Sequence, residues 1–242
     1  MKRSWEGVVL KVMGAKDFTL EVIGREEITP DFLRIHVRDG GLLIDSEPHP
    51  TMWIRLWFDD AGKGHQRAYT LVNPDSRAGT FSMDFAMHDG IAAHWARSVQ
   101  PGSTIEATVQ GSSFAFPTPA PRRLWVVGDP ASIPAINSLL DARPASGATS
   151  PATLWLEYQH DADTSLEVRA AGPDVVTWVP RKGDGASLVA EVCDSLTAET
   201  TSPEDFFWIA SEASSTRAIV KHLRKVVGVD KHRIDALGYW RA

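Results

Sequence analysis

Arg67-Ala68-Tyr69-Thr70 sets four different side chains in a row, just after a run patterned like a strand. A strand-end arginine can pair with a phosphate, a tyrosine can lie on a ring system, and a threonine hydroxyl can reach a ring nitrogen or oxygen. Taken alone, such a string is more often an edge strand with a solvated arginine and a half-buried tyrosine. Phe81 to His88 then reads as a strand that runs into Asp89-Gly90, some 20 residues after Thr70, and a helix opening at Ile91-Ala92-Ala93. A glycine followed by small residues leaves the first backbone N–H groups of a helix open, which suits a pyrophosphate. For an isolated instance water is the commoner partner. The loop Gly111-Ser112-Ser113-Phe114 supplies a third polar segment. Further on, Gly128-Asp129 stands where a buried strand meets its helix, the usual ligand crevice of an open sheet. It lacks the G-x-G-x-x-G spacing, so it is not an ordinary dinucleotide fingerprint.

These residues need two kinds of scaffold. Up to about residue 116 apolar and polar residues alternate: Leu33, Ile35 and Val37 with Arg34, His36 and Arg38, and Met52, Ile54, Leu56 and Phe58 with Trp53, Arg55, Trp57 and Asp59. Phe81, Met83, Phe85 and Met87, then Ile105, Ala107 and Val109, repeat the pattern. Period-two segments broken by Asp39-Gly40-Gly41, Asn73-Pro74 and Pro101-Gly102 predict antiparallel strands closing into a Greek-key β-barrel. One short helix, Ile91 to Val99, interrupts them. The proline-rich stretch Phe116 to Pro121 is the natural boundary, giving domains 1–120 and 121–242.

Beyond it the strands become continuous apolar runs: Leu124 to Val127, Thr153 to Leu156, Val175 to Val179 and Phe206 to Ile209. Helices alternate with them, over Ser132 to Ala142, around Leu188, Val192 and Leu196, and from a cap at Ser214 or Ser215 to a stop at Gly228. This predicts an α/β domain with an open parallel sheet covered on both faces. Ala142 to Pro151 reads as a loop.

Composition narrows the function. The 242 residues carry a formal charge of −6, which disfavours a nucleic-acid partner. No run of about 18 apolar residues predicts a membrane span, and the opening Met1 to Glu6 does not read as a signal peptide. Cys193 is the only cysteine, which excludes an internal disulfide and a four-cysteine cluster. It falls on the apolar side of a helix and is expected to be a buried packing residue. The eight histidines have no ligand spacing, so no protein-bound metal is expected. Arg217, Lys221, Arg224 and Lys225 read as a solvated face near a helix C-terminus. A cytoplasmic monomer is expected.

Taken in order, the segments resemble the siderophore-interacting proteins, the ferric-siderophore reductases among ferredoxin-reductase-like flavoproteins. The resemblance runs from about Phe18 to Arg241. It rests on Arg67 to Thr70, Asp84 to Ala96, Pro101-Gly102, Gly111 to Phe114, Gly128-Asp129 with Ile133 to Ile136, Ser211-Glu212-Ala213, and Gly238 to Arg241. It implies an NAD(P)H-dependent reductase that binds FAD and delivers electrons singly to an Fe(III)-siderophore, with no side-chain acid or base required. Arg67 would bind the pyrophosphate, with Ala68, Tyr69 and Thr70 at the flavin ring. The backbone of Asp84, Phe85, Ala86 and Met87 would hold the far edge of that ring. His88, Gly90, Ile91, Ala92 and Ala93 would hold the phosphates or the adenine side, with Ser113 nearby. Tyr239 and Trp240 would lie near the flavin. Gly128, Asp129, Glu212 and Ala213 would meet the nicotinamide nucleotide.

Tyr158 to Asp163 offers carboxylates and neither lysine nor arginine, which favours a ribose diol, and so NADH, over a 2′-phosphate. For the anionic iron chelate, Arg55 and Arg241 correspond best by position, Lys63 and Arg217 less well. Ferredoxin remains an alternative donor. A flavin reductase or electron-transfer flavoprotein with another acceptor, and a non-catalytic siderophore carrier, remain rival readings.

Overall fold

Alternation in the first half of the chain becomes strands with one apolar face. The computed structural model describes residues 16–60, 62–143 and 150–242. The reading of Met1 to Glu6 and the middle of the Ala142–Pro151 loop fall outside these residues. β1 (Lys16–Thr29), β2 (Phe32–Arg38), β3 (Trp53–Asp60), β4 (Lys63–Thr70), β5 (Val72–Asp75), β6 (Thr80–Ala86) and β7 (Thr104–Val109) form an antiparallel half-barrel sheet. Their order is β4-β3-β7-β1-β2-β6-β5. β1 changes register at Val22/Gly24 and again at Glu27/Thr29, and such bulges bend a strand. It thereby pairs with β2 along one edge and with β7 along the other. Leu20, Val22, Ile35, Ile54, Leu56, Met83 and Phe85 fill the core with the alanines of α2 (Ile91–Ser98).

Two local features differ from expectation. A second short helix, α1 (Leu42–Asp45), follows the turn at Gly40-Gly41, because the buried Asp39 carboxylate accepts the N–H groups of Gly41 and Leu43. Trp57, on the polar side of the alternation, is buried: its indole N–H donates to Thr108 Oγ1 at 2.9 Å, and that hydroxyl donates to Asp17.

The continuous apolar runs become β8 (Leu124–Gly128), β9 (Ala152–Tyr158), β10 (Val175–Pro180), β11 (Phe206–Glu212) and β12 (Ile234–Trp240). They pair in parallel in the order β10-β9-β8-β11-β12. On one face Trp125, Val127, Phe207 and Ile209 pack against Leu188 and Val192 of α4 (Ala186–Ser195) and Ile219 of α5 (Ala213–His222). Leu124, Val126, Leu154 and Leu156, of opposite parity, are equally buried. α3 (Ile133–Asp141) lies on that side, since a Cβ at Gly128 would stand 2.5 Å from Ile136 Cδ1.

The cap of α5 is Glu212 rather than Ser214 or Ser215: its carboxylate accepts both serine N–H groups, 2.6 Å from Ser214 N and 3.1 Å from Ser215 N. A longer side chain one step back reaches the same donors. α5 runs into a π turn, Leu223–Val227, which ends at Gly228 with φ 86°. Cys193 is half-buried, not enclosed, with burial and the neighbouring Asp194 charge raising its thiol pKa.

The chain divides into two compact units, Met1–Ala115 and Phe116–Ala242. Among the described residues no helix is long and apolar enough to cross a membrane.

Candidate functional site

In the first unit, three segments singled out by their residue types meet through one aromatic cluster. Pairing with β3 puts Arg67 opposite Leu56 and Tyr69 opposite Ile54, on the core-facing side of β4. Tyr69 is half-buried, 4.1 Å between ring centroids from Phe85 of β6 and 6.3 Å from Phe58. Phe85 in turn lies 5.7 Å from Trp95 of α2, and Phe58 lies 5.6 Å from the same ring. Burial drives the Tyr69 hydroxyl pKa well up, and the Arg67 charge offsets only part of this. Tyr69 is therefore a neutral aromatic surface at any ordinary pH.

Around that cluster lie groups able to hold a phosphate-linked ring. Arg67 is exposed, and its guanidinium donates to the carbonyl of Gln66 at 2.7 Å, with no carboxylate partner among the described residues. α2 starts at Gly90 in extended conformation with no side-chain cap. The N–H groups of Ile91, Ala92 and Ala93 thus have no intrahelical acceptor. A Cβ at Gly90 would stand 2.3 Å from the His88 ring, so the exposed imidazole folds over this opening. β5 pairs with β6 only at Thr80 and Ser82, so the edge from Asp84 to Ala86 is open on that side. On the other side it pairs with β2. The Asp84 side chain is spent structurally, accepting from Arg34 Nε at 2.7 Å and Nη2 at 2.8 Å. Met87 is buried, whereas Ala68 is exposed and Thr70 is buried. These donors, the open strand edge and the aromatic surface fit FAD.

Ser112 accepts from the Trp53 N–H at 3.2 Å, leaving Ser113 exposed beside it. Arg55 stands directly opposite Ala68, its guanidinium 4.8 Å from the Trp53 ring and 3.4 Å from the Gln110 carbonyl. The structure thus brings Arg55 beside the Arg67–Thr70 strand on the opposite face from Tyr69.

In the second unit, the C-terminal ends of the parallel strands form a buried charged cluster. Gly128 is required there, since a Cβ would stand 2.4 Å from Ser132 Oγ. Asp129 is buried, and Trp240 Nε1 donates to its Oδ2 at 2.7 Å while Oδ1 has no hydrogen-bond partner among the described residues. Burial, with the Glu157 charge adding and the Trp240 hydrogen bond opposing, raises the Asp129 pKa to about 7. Arg181, at the end of β10, ion-pairs with Glu157 at 2.5 Å and lies 4.8 Å from the Trp240 ring. Sequence reading missed Glu157 and Arg181. The available signal was a charged residue at the C-terminal end of a buried strand, where ligands of open sheets sit.

The four residues expected to meet a nucleotide stand together at this edge, but two are already engaged. Burial raises the Glu212 pKa, yet its hydrogen bonds from Ser214 and Ser215 and the Arg181 charge outweigh that and hold it below the usual range. Ala213 packs closely on β12, for a Cβ at Gly238 would lie 2.8 Å from its own Cβ. Asp163 is buried and caps the loop after β9, accepting from Gln159 N at 3.0 Å and His160 N at 2.9 Å. Of the carboxylates in that loop, Asp161 remains exposed. Tyr239 packs edge-on against Trp208, 6.3 Å between centroids, and Arg241 is exposed at the strand end.

Two family models match. Residues 121–242 match the siderophore-interacting protein model, and residues 46–111 match the siderophore-interacting FAD-binding domain. The mycobactin import ATP-binding/permease protein IrtA of Mycobacterium tuberculosis is 36% identical over 250 residues, which cover 100% of this chain and 28% of that protein. The chain therefore spans little more than a quarter of that relative. The ferric vibriobactin reductase ViuB of Vibrio cholerae is 23% identical over 212 residues, 86% of this chain and 71% of that protein. Among solved structures, the siderophore-interacting protein of Acinetobacter baumannii superposes with a TM-score of 0.80 at 19% identity, covering 94% of this chain and 90% of that one. A ferredoxin NADP+ reductase of Neisseria gonorrhoeae with bound FAD and NADP gives 0.68 at 15% identity, covering 93% and 99%. At these identities the structures establish the ferredoxin-reductase-like fold.

Proposed function

This chain belongs to the siderophore-interacting protein family, and on that premise we propose that it is an FAD-dependent reductase passing electrons from NAD(P)H to an Fe(III)-siderophore. The observation that carries the reading is the Tyr69–Phe85–Trp95 cluster. It joins the Arg67 strand, the open edge of β6 and the uncapped start of α2 within one unit. Bound FAD supplies the conversion between a two-electron hydride donor and a one-electron iron acceptor. The chain's own residues bind and orient. Arg67 and the N–H groups of Ile91 to Ala93 neutralise the pyrophosphate. His88 covers Gly90 above them, with Ser113 alongside. Tyr69 and Thr70 flank the ring, and the backbone from Asp84 to Met87 holds its far edge. Tyr239 and Trp240 are proposed to complete the flavin's surroundings. The Asp129 hydrogen bond and the Arg181 guanidinium fix the orientation of Trp240.

The crevice of Gly128, Asp129, Glu212 and Ala213 takes the nicotinamide nucleotide. Exposed Asp161 and the absence of lysine and arginine from that loop favour NADH. Arg181 does not offset this, being paired with Glu157. Arg55 and Arg241 attract the anionic iron chelate. Reduction releases the metal because Fe(II), the less charged ion, binds hard oxygen donors more weakly. The working form is proposed to be a cytoplasmic monomer.

The test is an anaerobic assay of the purified protein, with NADH, NADPH and a reduced ferredoxin titrated separately against several ferric chelates. The reading predicts iron reduction with NADH giving the higher kcat/KM. Preference for free flavin as acceptor would favour a flavin reductase. Protein that stays colourless after FAD is added would favour a carrier.

A further inference from the structure

The face of α5 and the following π turn is solvated as expected, and it also forms one wall of an open groove. Arg217, Lys221, Arg224 and Lys225 line it from the helix, and Arg241 from the end of β12. The groove holds about 610 Å³, and its floor includes Ala236 and Gly238 of β12. Among the described residues none of the five cations has a carboxylate within ion-pair distance, in a chain whose net charge is −6. Helix-dipole stabilisation accounts for cations in the last turn, but not for Arg217 or Arg241.

β12 is the edge strand of its sheet, and Ala236 to Gly238 is its exposed stretch. That stretch is exposed, so its outer backbone edge can take another strand. The two periodicities also agree. Cations at Arg217, Lys221 and Lys225 recur every four residues, which is about 6 Å along a helix. Alternate side chains of an extended strand recur at about 6.6–6.8 Å. A single phosphate cannot span the roughly 12 Å from Arg217 to Lys225, whereas spaced carboxylates can.

We propose that the groove between α5 and β12 docks an extended acidic segment of a partner protein, its backbone along the edge of β12 and alternate Glu or Asp side chains on the α5 cations. Electrostatic steering would bring such a segment in, and strand pairing would set its register.

The probe is a fluorescein-labelled peptide of alternating Glu and Thr, titrated by anisotropy into the FAD-loaded full chain. Binding is expected to weaken steeply with salt. The triple variant K221Q/R224Q/K225Q should bind about tenfold or more weakly, while keeping the wild-type circular dichroism and melting temperature. If Gln lowers the melting temperature, a K221R/R224K/K225R variant separates charge from fold, and it should bind like wild type. A second peptide of equal charge with proline at each Thr position cannot pair as a strand and should bind more weakly. Absence of peptide binding, an unchanged affinity in the Gln variant, or equal affinity for the proline peptide would overturn the proposal. So would binding of inorganic phosphate or of anionic-lipid vesicles in place of the peptide. Ferric-chelate reduction measured on the same variant tests the enzymatic reading separately.

Discussion

Arg67 is the residue on which FAD binding most depends. It is exposed, and its only described partner is a carbonyl of its own strand, so removing it leaves the barrel core untouched. A charge-assisted bond to phosphate contributes about 1.5–3 kcal/mol. R67A is therefore expected to lower FAD affinity by roughly ten- to a hundredfold, with the melting temperature of the apoprotein unchanged, as measured by flavin titration and calorimetry. Asp129, by contrast, bears on stability. Its folded pKa, about 7 through burial first, lies above the unfolded value near 3.9. The folded state thus holds the extra proton between these values, and this contribution to stability is lost as pH rises from about 4 to 7, by up to about 1.4 kcal/mol per unit. D129N should flatten that part of the pH–stability curve, and a curve superimposable on wild type would contradict the assignment. Residue types alone named Arg67, Tyr69, Gly90 and Asp129. What they could not show was direction: Tyr69 faces the core, Asp84 is committed to Arg34, and Glu212 caps a helix. Those facts depend on which neighbours the fold delivers.

At the scale of elements, the glycines at the two strand-to-helix junctions carry the tightest requirements. A Cβ at Gly128 would meet Ser132 Oγ at 2.4 Å and Ile136 Cδ1 at 2.5 Å. G128A should therefore destabilise the protein by about 1–3 kcal/mol, as overpacking does, read as a lower denaturant midpoint with unchanged slope. At Gly90 the obstacle is a side chain, the His88 ring at 2.3 Å. G90A should leave stability nearly unchanged, because the imidazole can swing outward. Its cost should fall on FAD, where the added methyl and the displaced ring crowd the phosphates. The reverse pattern, lost stability with normal FAD retention, would contradict the role given to this helix start. Element type was legible wherever one period dominated, as in β2, β3, β6 and the four buried runs of the second unit. β1 was less legible because its bulges break the alternation. α1 was hidden because a single aspartate starts it. Glu157 and Arg181 escaped notice because each looks solvated until the sheet brings them together.

For the whole molecule, composition and the change of period at the proline-rich stretch were enough to indicate a barrel followed by an open α/β sheet. The groove along α5 was not legible, since its cations are separated in sequence from the β12 floor that makes them a wall. On the proposed function, electrons move from a nicotinamide donor through FAD to chelated Fe(III). Stopped-flow mixing tests it most directly. FAD-loaded protein is reduced anaerobically with one equivalent of NADH and then mixed with a ferric siderophore in the presence of an Fe(II) trap. The oxidised-flavin absorbance is expected to recover, with two Fe(II) trapped per flavin. Flavin that stays reduced in the presence of every ferric chelate tried, with no Fe(II) trapped, would contradict it.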